Sequence, residues 1–323
     1  MTVDGGEERA DGDSSSSPVF LSRCDTTMTP AGTRIISISQ SVRCGLDVTA
    51  PDHTPHLVGD GMYYALCFLV FFIAYALTIV TTSVGYHRGL THGAVTLHPR
   101  LRRFLMDYGM WLIGVDAAAW ICMHRLHHQH SDTKDDPHSP LNVGFLGMFG
   151  AQLAGYDRSL AGLKAGAEPY ATIGRDVRLS WPNRSGLWGL PYLLHAAIAV
   201  AVGVQWGWLM GVALFAGMMS HAVQGACINA LGHAVGDRNF DLPDNSRNNT
   251  FAAWAVLGEG YQNNHHRYPA SARFSYRPSE VDMGWGVCRL GEFLGLLRIE
   301  QSTLMPKLVA VEAAAAAAAV PAR

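Results

Sequence analysis

Histidines dominate residues 124–140, which read HRLHHQHSDTKDDPHSP. Within them, His124, His127 and His128 are spaced i, i+3 and i+4, so that on a helix they share one face. Neutral imidazole is the commonest side-chain metal ligand, and rings that converge on one side can hold an ion. The spacing predicts a metal site; the alternative for this segment alone is a surface histidine cluster without a metal.

HRGLTH contains a second group, His87 and His92. Their spacing of i, i+5 is not one face of an α-helix unless the helix ends between them, and Gly89 can provide that end. Taken alone, this pair is better explained by two structural histidines than by metal ligands.

Two later groups complete the set. NALGH places Asn229 and His233 at i, i+4, and GEGYQNNHHRYP supplies His265 and His266. The eight imidazoles of these groups exceed the four ligands of a structural zinc site, so two ions are the economical interpretation. Imidazole suits Zn, Cu, Fe and Ni alike, so the residues themselves do not choose the metal. The predicted ligands are His87, His92, His124, His127, His128, His233, His265 and His266.

A long apolar segment leads into the first histidine pair. Residues 61–86 contain no Asp, Glu, Lys, Arg or His. Because a bilayer core needs about 20 such residues, this segment predicts a transmembrane helix that delivers His87 just outside the hydrocarbon. The alternative is a buried helix of a soluble protein.

Other apolar stretches are shorter or carry charges. Residues 101–122 include two arginines and two aspartates, which predicts a helix lying partly in the membrane interface. Residues 187–204 and 209–220 flank an uncharged QWGW link, which predicts a transmembrane hairpin. His195, inside the first of these, is interpreted as a structural histidine of the bundle.

The composition also favours a membrane protein. The 323 residues are 49% hydrophobic and only 15% charged, and the net charge of -2 gives no indication of nucleic-acid binding. Six cysteines without a CxxC pair argue against a zinc ribbon, an iron–sulfur cluster or a disulfide framework. Polar residues 1–57 predict a disordered N-terminal arm, residues 58–303 a membrane domain, and residues 304–323 a low-complexity Ala-rich tail.

Positive charge is unevenly distributed. The segments that carry the histidines contain ten Lys and Arg residues between 88 and 178, whereas the QWGW turn has none. By the positive-inside rule, the histidine side of the membrane is expected to be cytoplasmic.

HRGLTH, HRLHH and NNHH resemble the three histidine boxes of the membrane fatty acid desaturases, and details are similar to the acyl-CoA (stearoyl-CoA, Δ9) branch. These details are Trp120 before the second box and Asp136-Pro137-His138 after it. They also include the N-x-x-x-H pattern of Asn229 and His233, and the G-E-G sequence that begins the last motif at Gly258. The resemblance runs from about residue 62 to residue 300. It implies an all-α integral membrane fold in which transmembrane and interfacial helices carry a histidine-rich di-metal site.

The resemblance also implies the chemistry. Two iron ions, O2 and two electrons would place a cis double bond in a fatty acyl chain carried on CoA or on a lipid. Asp136 and Glu259 are expected to orient ligand imidazoles, and Asn229 is a weaker ligand candidate. No segment of this chain matches an electron carrier, so a separate ferredoxin, rubredoxin or small cytochrome with its reductase is implied.

Two features depart from that branch. Gln262 occupies the position where the third box normally begins with His, so its amide oxygen is a weaker ligand candidate and the position is otherwise open to water. One apolar span precedes the first box where the family usually has two. Alternative functions are a hydroxylase with the same boxes and a non-enzymatic membrane metal-binding protein.

Overall fold

The computed structural model describes residues 59–302; the expected arm at 1–57 and the Ala-rich tail at 304–323 lie outside the described residues. The described part is mostly helical, with one two-stranded antiparallel sheet in which Thr96 pairs with Arg298. Its elements are α1 (Asp60–Val80), a π-helical segment (Thr81–Thr91), β1 (Val95–Leu97), α2 (Pro99–Tyr108), α3 (Met110–Ile113), α4 (Ala117–His130), α5 (Pro140–Ala165), α6 (Tyr170–Ile173), α7 (Trp181–Arg184), α8 (Leu190–Trp206), α9 (Trp208–Met218), α10 (His221–Gly232), α11 (Thr250–Ala255), α12 (Gln262–Arg267), α13 (Met283–Phe293) and β2 (Leu297–Ile299).

Helix α1 and the π-helical segment form one continuous helix, Asp60–Thr91. It is long and apolar enough to cross a membrane, and only 28% of its most apolar window is buried. Large side chains such as Phe68 and Ile73 point outward, with 68% and 59% of their surface exposed. The core helix of a soluble protein would instead bury this surface.

The helix does not end at Gly89, as the i, i+5 spacing had suggested. It widens into the π-helical segment, where hydrogen bonds join residues five apart, and the N–H of His92 donates to the carbonyl of His87 at 3.1 Å. Residues five apart then share a face, so the two rings lie 4.9 Å apart between centroids.

The predicted hairpin is less regular than expected. Helix α8, with 17 residues, is shorter than a membrane span, and α9 is bent by 51° from α10. Of the helices in residues 59–302, Asp60–Thr91 is therefore long and apolar enough to cross a membrane, and α9 with α10 would be a second such segment only if the bent pair counts as one span. Glycine allows close packing between helices here: a Cβ on Gly217 would lie 2.6 Å from the carbonyl oxygen of Phe71 on α1. His195 is buried and its Nε2 lies 2.7 Å from the carbonyl oxygen of Trp111, as befits a structural histidine.

Residues 101–122 form parts of three helices instead of one. Gly114, with φ of 76°, ends α3, and Asp116 then caps the N-terminus of α4 by accepting from the N–H of Ala118 at 2.9 Å. The other carboxylate oxygen of Asp116 accepts from the N–H of Ser180 at 2.8 Å. Asp116 is therefore buried because its side chain caps the N-terminus of α4, the helix that carries the second histidine box.

Candidate metal centre

Five imidazoles converge at one point between the π-helical segment, α4 and α12. Nε2 of His265 lies 3.0 Å from Nε2 of His87 and 2.9 Å from that of His128, whose own Nε2 is 3.0 Å from that of His124. Two nitrogens about 2.1 Å from one ion and at a right angle would be about 3.0 Å apart. The spacing of these atoms therefore fits ligands that share an ion. We call this group the five-histidine cluster: His87, His92, His124, His128 and His265.

Ring positions define the shape of the five-histidine cluster. His92 lies 4.7–5.2 Å from all four other rings, whereas His124 and His265 lie 6.0 Å apart on opposite sides. Successive rings in the order His87, His124, His128, His265 lie 4.4–4.8 Å apart, so these four surround a common point and His92 adjoins all of them. The candidate ligand atoms of all five rings lie within 4.8 Å of one another, so these residues could hold one metal ion.

A second group, the three-histidine cluster, consists of His127, His233 and His266, whose candidate ligand atoms lie within 4.8 Å of one another. Their ring centroids are 4.8–5.2 Å apart, so the three rings occupy one face of a coordination polyhedron. The Nε2 atom of each ring is buried and has no partner within residues 59–302. Three buried lone pairs aimed together fit a second metal ion, since buried polar atoms otherwise have partners.

Carboxylates contact several of the candidate ligand rings at the nitrogen that faces away from the clusters. Nδ1 of His127 lies 3.0 Å from both oxygens of Asp136, and Nδ1 of His87 lies 2.6 Å from Oε2 of Glu259. Such contacts fix the ring and make its metal-facing nitrogen a better donor. Both carboxylates stand where the sequence analysis places ring-orienting residues.

Two further carboxylates have the same role and were missed. Nδ1 of His233 lies 2.8 Å from Asp132, and Nδ1 of His266 lies 2.7 Å from Asp244. Asp132 is part of the second-box segment and faces a histidine 101 residues away, whereas Asp244 lies in a loop without a motif. Sequence spacing could not relate either residue to its ring.

Burial affects the protonation of two of the candidate ligand rings. Burial and the neighbouring imidazoles lower the pKa of His127 and His128 well below the ordinary value of 6.5, which leaves their lone pairs available at neutral pH. Burial alone would raise the pKa of Asp132, but its hydrogen bonds, chiefly the one with His233, lower it to about 2. Asp132 is therefore a carboxylate at any physiological pH.

A buried arginine connects the first box to the last motif. Arg88 is fully buried, and its Nη1 lies 2.5 Å from Glu259 while its Nη2 lies 3.3 Å from Asp282. Its guanidinium also lies 3.8 Å above the Phe274 ring. Because Glu259 also holds His87, this network fixes the first and third boxes relative to each other.

Three polar side chains border a small cavity beside the clusters. Asn229 donates its amide N–H to the carbonyl of Gly225 at 3.0 Å, within its own helix. Gln262 donates to the carbonyl of Glu259 at 2.6 Å, and its buried Oε1 has no partner in the described part of the chain. His138, which the sequence analysis did not count among the ligands, is buried with both ring nitrogens unpartnered there.

The chain also resembles known proteins. The sequence pattern of the family described as fatty acid desaturase matches residues 63–281. The chain is 32% identical over 231 residues to the Delta-9 acyl-lipid desaturase 1 of Arabidopsis thaliana, covering 69% of this chain and 72% of that protein. It is 30% identical over 262 residues to the Acyl-CoA C20 Delta5-desaturase of Anemone leveillei (75% and 79%), and 32% identical over 234 residues to the Hex-5-enoyl-[acyl-carrier protein] acetylenase of Moorena producens (strain JHB) (67% and 72%). The chain therefore belongs to the fatty acid desaturase family and is an oxidoreductase of the desaturase type.

Proposed function

We propose that this chain is an O2-dependent di-iron desaturase that introduces a cis double bond into a fatty acyl chain, of the acyl-CoA Δ9 type. The observation that carries the proposal is the grouping of eight imidazoles into a five-histidine and a three-histidine cluster. Rings of His127 and His128, neighbours in the chain, belong to different clusters and lie 5.7 Å apart, which suits two ions acting on one substrate.

Iron supplies the redox chemistry that C–H cleavage at an unactivated methylene pair requires, since acid–base residues cannot attack such bonds. The overall reaction takes O2, two electrons and two protons, removes two hydrogens from adjacent carbons, and yields two waters. The protein's own residues bind the irons, hold the acyl carbons in place and keep other C–H bonds away.

The cavity beside the clusters suits the reacting part of an acyl chain. It is lined by the rings of His87 and His124 and by the apolar side chains of Trp120, Met123 and Ile228. Trp120 stacks on His124 with 5.0 Å between ring centroids and an angle of 10°. Methylenes packed against this indole would lie next to the five-histidine cluster.

An apolar groove on the outer surface adjoins the cavity. It is bordered by side chains of α1, α9, α10 and α11, and Gln224 and Ile228 line both the groove and the cavity. Ile228 therefore stands in the wall between the surface and the space beside the irons. Acyl carbons beyond the reacting pair would bind in this apolar groove.

An arginine-rich groove supports a carrier with phosphates. A groove of about 680 Å³ is lined by Arg102, Arg103, Arg175 and Arg178 among other residues. Of these, Arg178 also binds Asp107 at 2.6 Å. Guanidinium groups favour phosphate, so the groove suits the nucleotide end of CoA.

The helix Asp60–Thr91 is proposed to span the membrane, with the clusters at the cytoplasmic face. The 21 residues of α1 rise about 31 Å, which matches a hydrocarbon core of about 30 Å and leaves His87 beyond it. An external ferredoxin, rubredoxin or small cytochrome with its reductase would supply the electrons.

The test is fatty-acid profiling of a desaturase-deficient host that expresses this chain. Mass spectrometry should find acyl chains that have lost two hydrogens, and His128→Ala should abolish them. A gain of one oxygen would indicate hydroxylation instead, and identical profiles for wild type and variant would overturn the proposal.

A further inference from the structure

We propose that water reaches the two histidine clusters through a short polar passage between α4, α5 and residues 136–138, and that this passage carries protons to the reaction. The inference rests on the proposed function, because desaturation with O2 consumes protons. One acyl chain, one O2, two electrons and two protons give one alkene and two waters, and the external donor supplies the electrons. Two protons must therefore enter, and two waters must leave, for each double bond.

Three buried polar side chains along this passage lack a protein partner. Oγ of Ser159 and Oε1 of Gln152, both on α5, have no hydrogen-bond partner within residues 59–302, and neither does either ring nitrogen of His138. Ser159 and His138 are each 1% exposed and Gln152 is 5% exposed. Buried polar atoms are almost always hydrogen-bonded, either to protein or to ordered water. Ordered water is therefore the partner that these three side chains require.

The three side chains lie between an outer pocket and the cavity beside the clusters. The outer pocket has a volume of about 380 Å³, and its lining includes Ser159, the buried Asp136 and the exposed Lys134. Gln152 and His138 line the inner cavity instead. Helix α5 therefore presents one unpartnered polar group to the solvent-facing pocket and another to the cavity beside the metal ligands.

Glycine separates these two polar groups on α5. Gln152, Gly155 and Ser159 are spaced i, i+3 and i+7, so they share one face of the helix. A Cβ on Gly155 would lie 3.1 Å from Cβ of Pro137 and 3.3 Å from Sδ of Met123. Pro137 lines the outer pocket and Met123 lines the inner cavity, so a side chain at Gly155 would press against the walls of both spaces.

The length of the passage suits a chain of water molecules. Seven residues separate Gln152 from Ser159, which corresponds to about 10 Å along the helix. Three to four waters at a hydrogen-bond spacing of about 2.8 Å cover this distance. The side chains act only as hydrogen-bond partners of these waters, so none of them has to change its charge.

The apolar groove is unsuited to carrying protons. Side chains such as Phe71, Phe215 and Val223 line it, and apolar spaces of this kind stay dry. A proton needs an unbroken series of hydrogen-bonding groups or waters, and the polar passage offers these groups. Substrate and protons thus reach the clusters through different openings.

A high-resolution structure of the purified full-length chain tests for the water without any measurement of activity. Wild type should hold about three or four ordered waters between Ser159, His138 and Gln152. Gln152→Leu keeps a similar volume and removes the amide, and Ser159→Ala removes only the hydroxyl. Each variant should lose the water next to the altered side chain. A wild-type structure without water between Ser159 and Gln152 would overturn the proposal.

Product formation in H2O and in D2O, at saturating reductant, tests the proton supply. Gln152→Leu and Ser159→Ala should each form product at least about tenfold more slowly than wild type, with two irons retained per chain. The ratio of the rates in H2O and D2O should also rise, because proton transfer then limits the reaction. Gln205→Leu, at an exposed glutamine of α8, is the matched control and should keep the wild-type rate and ratio.

Wild-type rates in both variants would overturn the role in proton supply, as would slowing without a change in the isotope ratio, which indicates structural damage alone. If Gln152→Leu does not fold, Ser159→Ala decides by the same criteria, since it removes a single atom. A wild-type chain that held the waters and two irons but made no alkene would contradict the proposed function, and not the passage.

Discussion

Nδ1 of His87 lies 2.6 Å from Oε2 of Glu259, although 172 residues separate the two in the sequence. The same carboxylate is 2.5 Å from the guanidinium of Arg88 and accepts from the hydroxyl of Ser83 at 2.5 Å. One side chain of the last motif therefore orients a ligand of the first box and balances a buried cation beside it.

Glu259→Gln should lower both activity and stability. The amide cannot serve the imidazole, the hydroxyl and the guanidinium together, and Arg88 would lose its nearest ion pair inside the protein. We expect iron affinity and product formation to fall by about 10–100-fold, with a lower melting temperature. Asp241→Asn, at a fully exposed carboxylate, is the control and should behave as wild type. Wild-type iron retention in Glu259→Gln would show that His87 does not depend on this contact.

Asp136→Asn tests the orientation of the three-histidine cluster. Its carboxylate oxygens lie 3.0 Å from Nδ1 of His127, and one of them also accepts from the N–H of Asp132 at 2.8 Å. We expect the second iron to be lost at chelator concentrations about 10–100-fold lower than in wild type. The neighbouring exposed Asp135→Asn is a matched control, and equal iron retention in the two variants would contradict the assigned role.

Ile228→Trp tests the cavity. Ile228 lines both the cavity and the apolar groove, so a larger side chain there would block the space between them. Acyl carbons should then no longer reach the clusters. Product formation should fall by at least about tenfold while iron content remains at two per chain. Val235→Trp, at an exposed position, should leave both unchanged. Undiminished product from Ile228→Trp would mean that the substrate lies elsewhere.

Gly217→Leu tests the packing of α9 on α1. A Cβ at this position already comes within 2.7 Å of the Cβ of Ala74, so a larger side chain must separate the two helices. Overpacking of this kind costs about 1–3 kcal/mol, and the melting temperature should fall accordingly. At Gly150 a Cβ would meet nothing within 4 Å, so Gly150→Leu should melt as wild type does. Equal melting temperatures would rule out close contact between α1 and α9.

The sequence was informative wherever ligand spacing matches a regular element. His124, His127 and His128 lie on α4 as their i, i+3, i+4 spacing predicts, yet they divide between two clusters. Which cluster each ring joins depends on the histidines that approach from other elements. The helical spacing of the three residues alone does not predict this division. Histidines that share one helical face are predicted to bring their rings together, but their spacing does not predict how many metal ions they hold.

The first box shows where propensity rules are insufficient. On an α-helix, an i, i+5 pair shares a site only if the helix ends between its members, as predicted at Gly89, whereas the structure widens the helix so that His87 and His92 share a face. A π-helical segment is rare and has no simple sequence signal. Asp132 and Asp244 were missed for a related reason, because their partners are fixed by tertiary packing across distant segments.

Locating the metal ions by anomalous scattering at the iron absorption edge is the most direct test of two irons in these clusters. The account predicts two peaks per chain, one about 2.1 Å from the Nε2 atoms of the five-histidine cluster and one at the same distance from those of the three-histidine cluster. A single peak, or none at the iron edge with a signal at the zinc edge instead, would contradict it.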